Sequence, residues 1–145
     1  MTLVIGRRIR ELRDVADNLM EEVSSVVGVW AHNNSEEGNA IFNRDEDGKV
    51  GVRPLTGQSW IEEVLNGVRY RIGPGDFFQT NPATAEVIYR RTMERLELSQ
   101  EHSYVDLYSG VGGLALQGAS KAGWTIGIEE IAGAVNRAQE SARSN

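Results

Sequence analysis

Two carboxylates and a cluster of glycines are the residues in this chain best suited to hold a small ligand. Asp106 to Gly113 reads DLYSGVGG, between the apolar β-type segment HSYVDLY and the helical pattern LALQGASKAG. A turn at that place uses glycine for two reasons: the backbone bends sharply, and a ligand approaches without meeting a Cβ. Glu129 closes the next apolar segment, WTIGIEE. In nucleotide-type sites an acid at the end of the second strand accepts hydrogen bonds from ribose hydroxyls. The run Gly110-Val-Gly112-Gly113-Leu-Ala115 approximates a dinucleotide GxGxxG, with Ala115 where the third glycine would stand. Alanine is tolerated there, so the turn alone leaves a dinucleotide open. Asp106 suits an amine-bearing or cationic ligand better than a pyrophosphate. S-adenosylmethionine carries an amino group and a sulfonium and has no phosphates. From these residues three readings stay open: a seat for that cofactor, another nucleotide site, or a turn that only packs helix on strand.

The elements that must position this constellation follow from periodicity. RRIRELRDVADNLMEEV repeats Ile9, Leu12, Val15, Ala16, Leu19 and Val23 at steps of three and four, which predicts an amphipathic helix. Residues 24–74 read as an antiparallel meander of about five strands. Its turns fall at Asp45-Glu46-Asp47-Gly48 and at Asn66-Gly67, the latter a strong two-residue hairpin signal. After Gly73-Pro74-Gly75 the pattern changes. Asn81 can cap a helix with Pro82 at its first position. Strand, glycine turn, helix, strand and helix then follow, which is half of a doubly wound sheet. The expected fold is therefore α/β: an N-terminal helix and β-meander over 1–74, then the first half of a Rossmann-like domain over 75–145.

Composition narrows the chemistry. The chain has 145 residues and no cysteine, so disulfides, thiolate metal sites and a cysteine nucleophile are excluded within it. Its two histidines, His32 and His102, show no metal-ligand spacing and read as surface or strand-end residues. No metal site is expected. The net charge is −6, which argues against a strong grip on RNA by this piece alone. Arg7, Arg8, Arg10 and Arg13 cluster locally and read as a solvated helix face sooner than an RNA contact. No stretch approaches the roughly 18 apolar residues of a membrane span. MTLVI before Gly6 is too short for a secretory segment, which leads to the expectation of a cytoplasmic protein with no membrane partner.

Residues 73–82 read GPGDFFQTNP and are followed by a helix. FFQTNP, then VDLYSGVGG, then IGIEE resembles the bacterial RNA uracil-5 methyltransferases, which make 5-methyluridine in ribosomal and transfer RNA. The likeness is greatest to the 23S ribosomal RNA branch. It reaches back through HNNSEEGNAIF, the glycine near position 57 and LNGVRYRIGPGDFFQ, and so covers roughly residues 24–145. The resemblance implies S-adenosylmethionine as cofactor. It carries Gln79, Tyr108, Gly113 and Glu129 over as contacts. Gln79 is the glutamine of the FFQ turn, Tyr108 the aromatic residue of the strand-end motif, and Glu129 the acid on the ribose. Gly113 stands where relatives often use a side chain, and glycine offers backbone only. With Asp106 and Gly110 from the turn, these form the expected cofactor-binding set. The bland alternatives are a loop-capping amide for Gln79 and a core aromatic for Tyr108.

The resemblance also implies what these residues do not contain. Family chemistry uses a cysteine thiolate that attacks carbon 6 of uracil, so that carbon 5 can take a methyl group, and a base that then removes the carbon 5 proton. The target base leaves the stack for this. The Asp-Pro-Pro motif, the nucleophilic cysteine and the general-base glutamate of the family cannot be placed here. No catalytic residue is therefore assigned, and the chain is expected to be an inactive fragment of an enzyme acting on rRNA or tRNA. With two strands of a sheet of about seven, it is also expected to self-associate. Ser109 replaces a common family cysteine that is not the nucleophile. The alternatives are a non-catalytic binding or assembly module on a half-Rossmann scaffold, and a methyltransferase with another substrate.

Overall fold

The computed structural model describes residues 1–6, 9–34, 42–43 and 50–145. Arg7, Arg8 and the turn expected at Asp45-Glu46-Asp47-Gly48 lie outside the described residues. The chain forms two compact units, Met1–Ile61 with Gly73–Gly75, and Glu62–Ile72 with Asp76–Asn145.

In the first unit, β1 (Thr2–Ile5), α1 (Leu12–Glu22), β2 (Gly28–Asn33) and β3 (Val52–Gly57) follow one another. β1 runs parallel to β2 and β3 antiparallel to it, so the sheet order is β1-β2-β3. The helix starts at Leu12, later than the apolar spacing suggested, and buries Leu12 and Ala16 against Val29, Ala31 and Leu55, while Ile9 before it, Val15 within it and Val23 after it stay exposed. β1 was not anticipated. TLVI is short but apolar and β-branched, and it gains a full ladder by lying beside β2. His32 is buried in β2: Nδ1 shares a hydrogen bond of 3.1 Å with the Gly51 carbonyl, and Nε2 accepts from the Asn43 N–H at 3.0 Å. Of the two readings, surface or strand-end, the second holds: His32 is next to last in β2, and its two partners let it be buried there. His102 is exposed, as expected, and holds Ser99.

The second unit begins with the hairpin β4 (Ile61–Leu65) and β5 (Val68–Ile72). Asn66 and Gly67 both take positive φ, 49° and 80°, as a two-residue primed turn demands. The expected single meander is thus divided: β1-β2-β3 form one sheet and β4-β5 another. The units accordingly part differently from 1–74 and 75–145, with the hairpin joining the second. The physical reason is the hairpin's core. Leu65 and Tyr70 pack with Ala85 and Tyr89 of α2 (Pro82–Leu96). The free edge of β5 is closed by side chains of α4 (Ala132–Ser144) and the residue after it. Ser141 Oγ accepts from the Arg71 N–H, and the Asn145 amide both accepts from and donates to the backbone of Arg69, each at 2.9 Å. Backbone groups that would otherwise present an unpaired edge are satisfied.

α2 starts as expected, with the Asn81 side chain accepting from the Thr84 N–H at 3.1 Å and Pro82 at its first position. Then come β6 (Ser103–Leu107), α3 (Gly113–Ala119) and β7 (Trp124–Ile128), with β6 and β7 parallel and in register from Ser103↔Trp124 to Leu107↔Ile128. This is the expected strand, glycine turn, helix and strand. One face of the pair carries Val105, Leu107, Trp124, Ile126 and Ile128, and all five are exposed.

An apolar strip of this kind on a two-stranded sheet favours association. We expect the 145-residue chain to self-associate through it, with sedimentation velocity giving a mass above the monomer that rises with concentration. Ile126→Lys should return it toward the monomer. A monomer at every concentration would count against this.

Candidate functional site

The site is built at the ends of β6 and β7, within the second unit. Tyr108, Gly110 and Gly112 take φ of 59°, 57° and 88°. Glycine adopts these values freely, but a tyrosine there carries strain of about 1 kcal/mol or more. Tyr108 is also 89% exposed, so nothing is gained by core packing. It is not the core aromatic of the bland alternative. The turn instead holds it outward at the mouth of a cleft of about 150 Å³.

That cleft brings together Gln79, Asp106, Tyr108, Gly110 and Gly113, five of the six residues expected from sequence. Phe77, 74% exposed, lines it from the FFQ loop. Glu129 does not line it. Its Oε2 accepts from the Gly110 N–H and its Oε1 from the Ile131 N–H, both at 2.9 Å. The tip of β7 is thereby tied to the glycine turn. A carboxylate has about four acceptor positions, so two remain for ligand hydroxyls.

Asp106 spends one oxygen on the Ala115 N–H of α3, at 2.9 Å. Burial holds its carboxyl above the ordinary 3.8, and the Ala115 hydrogen bond pulls the other way. Desolvation wins, so a cation that enters the cleft would relieve an existing cost.

Sequence reasoning missed three residues that shape the site. Tyr70, fully buried, donates from its hydroxyl to the Gly113 carbonyl at 2.9 Å. Gln117 Nε2 donates to the Tyr70 oxygen at 2.7 Å and to the Leu65 carbonyl at 2.8 Å. The start of α3 is thus pinned to the β4-β5 hairpin. Tyr89 lines the cleft from α2. A buried glutamine on an apolar helix face was the available signal for Gln117; nothing local marked Tyr70 or Tyr89. Among the described residues no group of three or more acids and histidines could hold a metal, and no helix is long and apolar enough to cross a membrane.

A parallel strand pair joined by a glycine turn and helix, with a carboxylate at the second strand's tip, is the opening of a Rossmann-like fold. The fold agrees: the solved tRNA (uracil-54, C5)-methyltransferase of Pyrococcus abyssi, in complex with S-adenosyl-L-homocysteine, matches 99% of this chain over 32% of its own, with a TM-score of 0.70 and 21% identity. A tRNA m1G37 methyltransferase of M. jannaschii matches 98% of this chain over 41% of its own, with a TM-score of 0.57 and 13% identity. In sequence, a protein of Gloeobacter violaceus named an uncharacterized RNA methyltransferase is 36% identical over all of this chain and 31% of its own length. One of Geobacter sulfurreducens, named likewise, is 37% identical over 99% of this chain and 28% of its own. No protein-family model matches. The whole chain is thus similar to one segment of these proteins, and it spans about a third of their length.

The raised Asp106 pKa gives a stability signature. The native state holds this proton more tightly than the unfolded chain does. The contribution is therefore fully present below the ordinary 3.8 and is lost as pH rises through the native value. Asp106→Asn keeps an acceptor for Ala115 and should flatten that fall. Urea unfolding of both proteins from acid pH to neutrality reads it.

Proposed function

We propose that this chain is the cofactor-binding part of an S-adenosylmethionine-dependent RNA uracil-5 methyltransferase, with ribosomal RNA, in particular 23S rRNA, as its substrate. The observation that carries the reading is the convergence of the FFQ loop, the Asp106–Gly113 turn and the Glu129 carboxylate at one end of the β6-β7 pair. Two motifs remote in sequence meet as a single seat.

The residues suit the cofactor's parts. Glu129, fixed by two backbone N–H groups, retains acceptors for a ribose diol. Among the described residues Asp106 is the one charged side chain lining the cleft, and it suits the cationic end. Tyr108 and Phe77 offer exposed aromatic faces, and Gln79 a polar side chain from the loop. At about 150 Å³ the cleft is smaller than the roughly 300–1,000 Å³ of ordinary small-molecule sites, so it takes one end of an extended ligand. When bound, the cofactor would supply an electrophilic methyl group. The protein's own task at this seat is to orient the ligand and exclude water from its methionyl end.

Glu129 with both oxygens engaged internally, beside so small a cleft, also suits a second reading: a non-catalytic module on the same scaffold. Calorimetric titration with S-adenosylmethionine separates the two. The chain should bind, and Glu129→Ala should weaken binding by about tenfold or more, as loss of hydrogen bonds to a charged group does. Absence of binding would leave the module reading.

The uracil-5 chemistry needs a thiolate, and these 145 residues have no cysteine. Incubated with labelled S-adenosylmethionine and uracil-containing RNA, the chain should transfer no methyl groups. Measured transfer would overturn the assignment of the covalent step to a cysteine.

A further inference from the structure

Position 113 lacks the side chain that the resemblance leads one to expect in the cleft, and a hydroxyl stands almost in its place. A Cβ built on Gly113 would lie 2.7 Å from the Tyr89 Oη. Tyr89 belongs to α2, is only 6% exposed, and lines the same cleft as Gly113 and Asp106. Among the described residues its hydroxyl makes no hydrogen bond. The neighbouring Gly113 carbonyl is already taken by Tyr70. The side chain is otherwise buried, but its hydroxyl lines the cleft without a protein partner and is open to a ligand there.

The chemistry of that ligand follows from the phenol's neighbour. Burial first, and the Asp106 carboxylate second, hold the Tyr89 hydroxyl above its ordinary 10.0. It therefore stays protonated and is available as a donor. Asp106 beside it is an acceptor for a cation. A donor for an anion next to an acceptor for a cation matches an α-amino acid, whose carboxylate and ammonium sit on one carbon.

We propose that Tyr89 is a cofactor-positioning residue: its hydroxyl donates to the carboxylate of the ligand's amino-acid end while Asp106 faces the ammonium. This deepens, and rests on, the reading of the cleft as an S-adenosylmethionine seat. Glu129 at the tip of β7 takes the ribose, so the amino-acid end extends along the glycine turn toward β6, where Tyr89 waits. Gly113 is then required as glycine because the phenol occupies its side-chain space.

Two ligands test this. S-adenosylhomocysteine carries the amino-acid end; 5′-methylthioadenosine keeps the adenosyl thioether and lacks it. Calorimetric titration of the chain and of Tyr89→Phe should show S-adenosylhomocysteine weakened by about tenfold or more in the variant, the loss of a hydrogen bond to a charged group. Binding of 5′-methylthioadenosine should be unchanged. A purely structural role would weaken both alike, and that result, or equal affinity for S-adenosylhomocysteine, overturns the proposal. Gly113→Ala, whose Cβ displaces the phenol, should give the same selective loss and serves if Tyr89→Phe melts at a lower temperature. Binding of neither ligand by the unsubstituted chain would overturn the cofactor seat itself. Binding of both with no selective loss would overturn Tyr89's role alone.

Discussion

The Glu129 carboxylate reaches from the tip of β7 to the Gly110 N–H, and this bond fixes the geometry of the site. A turn with Tyr108, Gly110 and Gly112 all at positive φ has many conformations open to it when unrestrained. Parallel pairing of β6 with β7 brings the two strand ends together, and the carboxylate then locks the turn at its middle. The second oxygen, on Ile131, orients the start of α4. One side chain thus couples the strand end, the turn and the following helix. Hydrogen bonds of a carboxylate to backbone N–H groups are about twice as strong as neutral ones, so few other groups could serve.

Two further anchors hold the rest of the turn. Asp106 takes the Ala115 N–H, one of the donors that the first turn of α3 leaves free. Tyr70 and Gln117 take the Gly113 carbonyl and bridge to the Leu65 carbonyl, closing a buried network in which the hydroxyl both donates and accepts. Such a network rigidifies when its members are satisfied. The hairpin that supplies Tyr70 lies earlier in the chain than the cleft motifs, and it is the FFQ loop and α2 that connect them. The strain at Tyr108 is tolerated because these contacts over-determine the backbone around it.

Local chemistry was legible in the sequence, as was the parallel β6-β7 unit built on the glycine turn; pairing without such a local motif was not. Asn66-Gly67, Asn81-Pro82 and the DLYSGVGG turn each declare their conformation through residues within a few positions of one another, and each forms as read. The cleft residues were legible because Gln79, Asp106, Tyr108, Gly110 and Gly113 sit on two such motifs. What failed depended on partners far along the chain. The four-residue β1 has no signal until β2 lies beside it. The hairpin β4-β5 alternates like a continuation of the preceding strands, yet the large buried side chain of Tyr70 finds its volume against α2. His32 sits at a strand end, as one reading allowed, but its burial follows only from Gly51 and Asn43, which satisfy it.

The same distinction governs the choice of ligand. The glycine turn by itself tolerates a pyrophosphate or an adenosyl group, since both need only close backbone approach. The charge placed on it decides. Asp106 is the single charged group lining the cleft among the described residues, and its ionised form is already disfavoured by burial. A pyrophosphate would add like charge to that site, where low dielectric magnifies repulsion. A cationic group does the reverse, drawing the carboxyl back toward ionisation. The Gly110 N–H that could have met a phosphate is meanwhile occupied by Glu129. With one amide taken and a carboxylate set behind the turn, the glycine run disfavours a pyrophosphate and suits a ligand with an ammonium and a neutral diol.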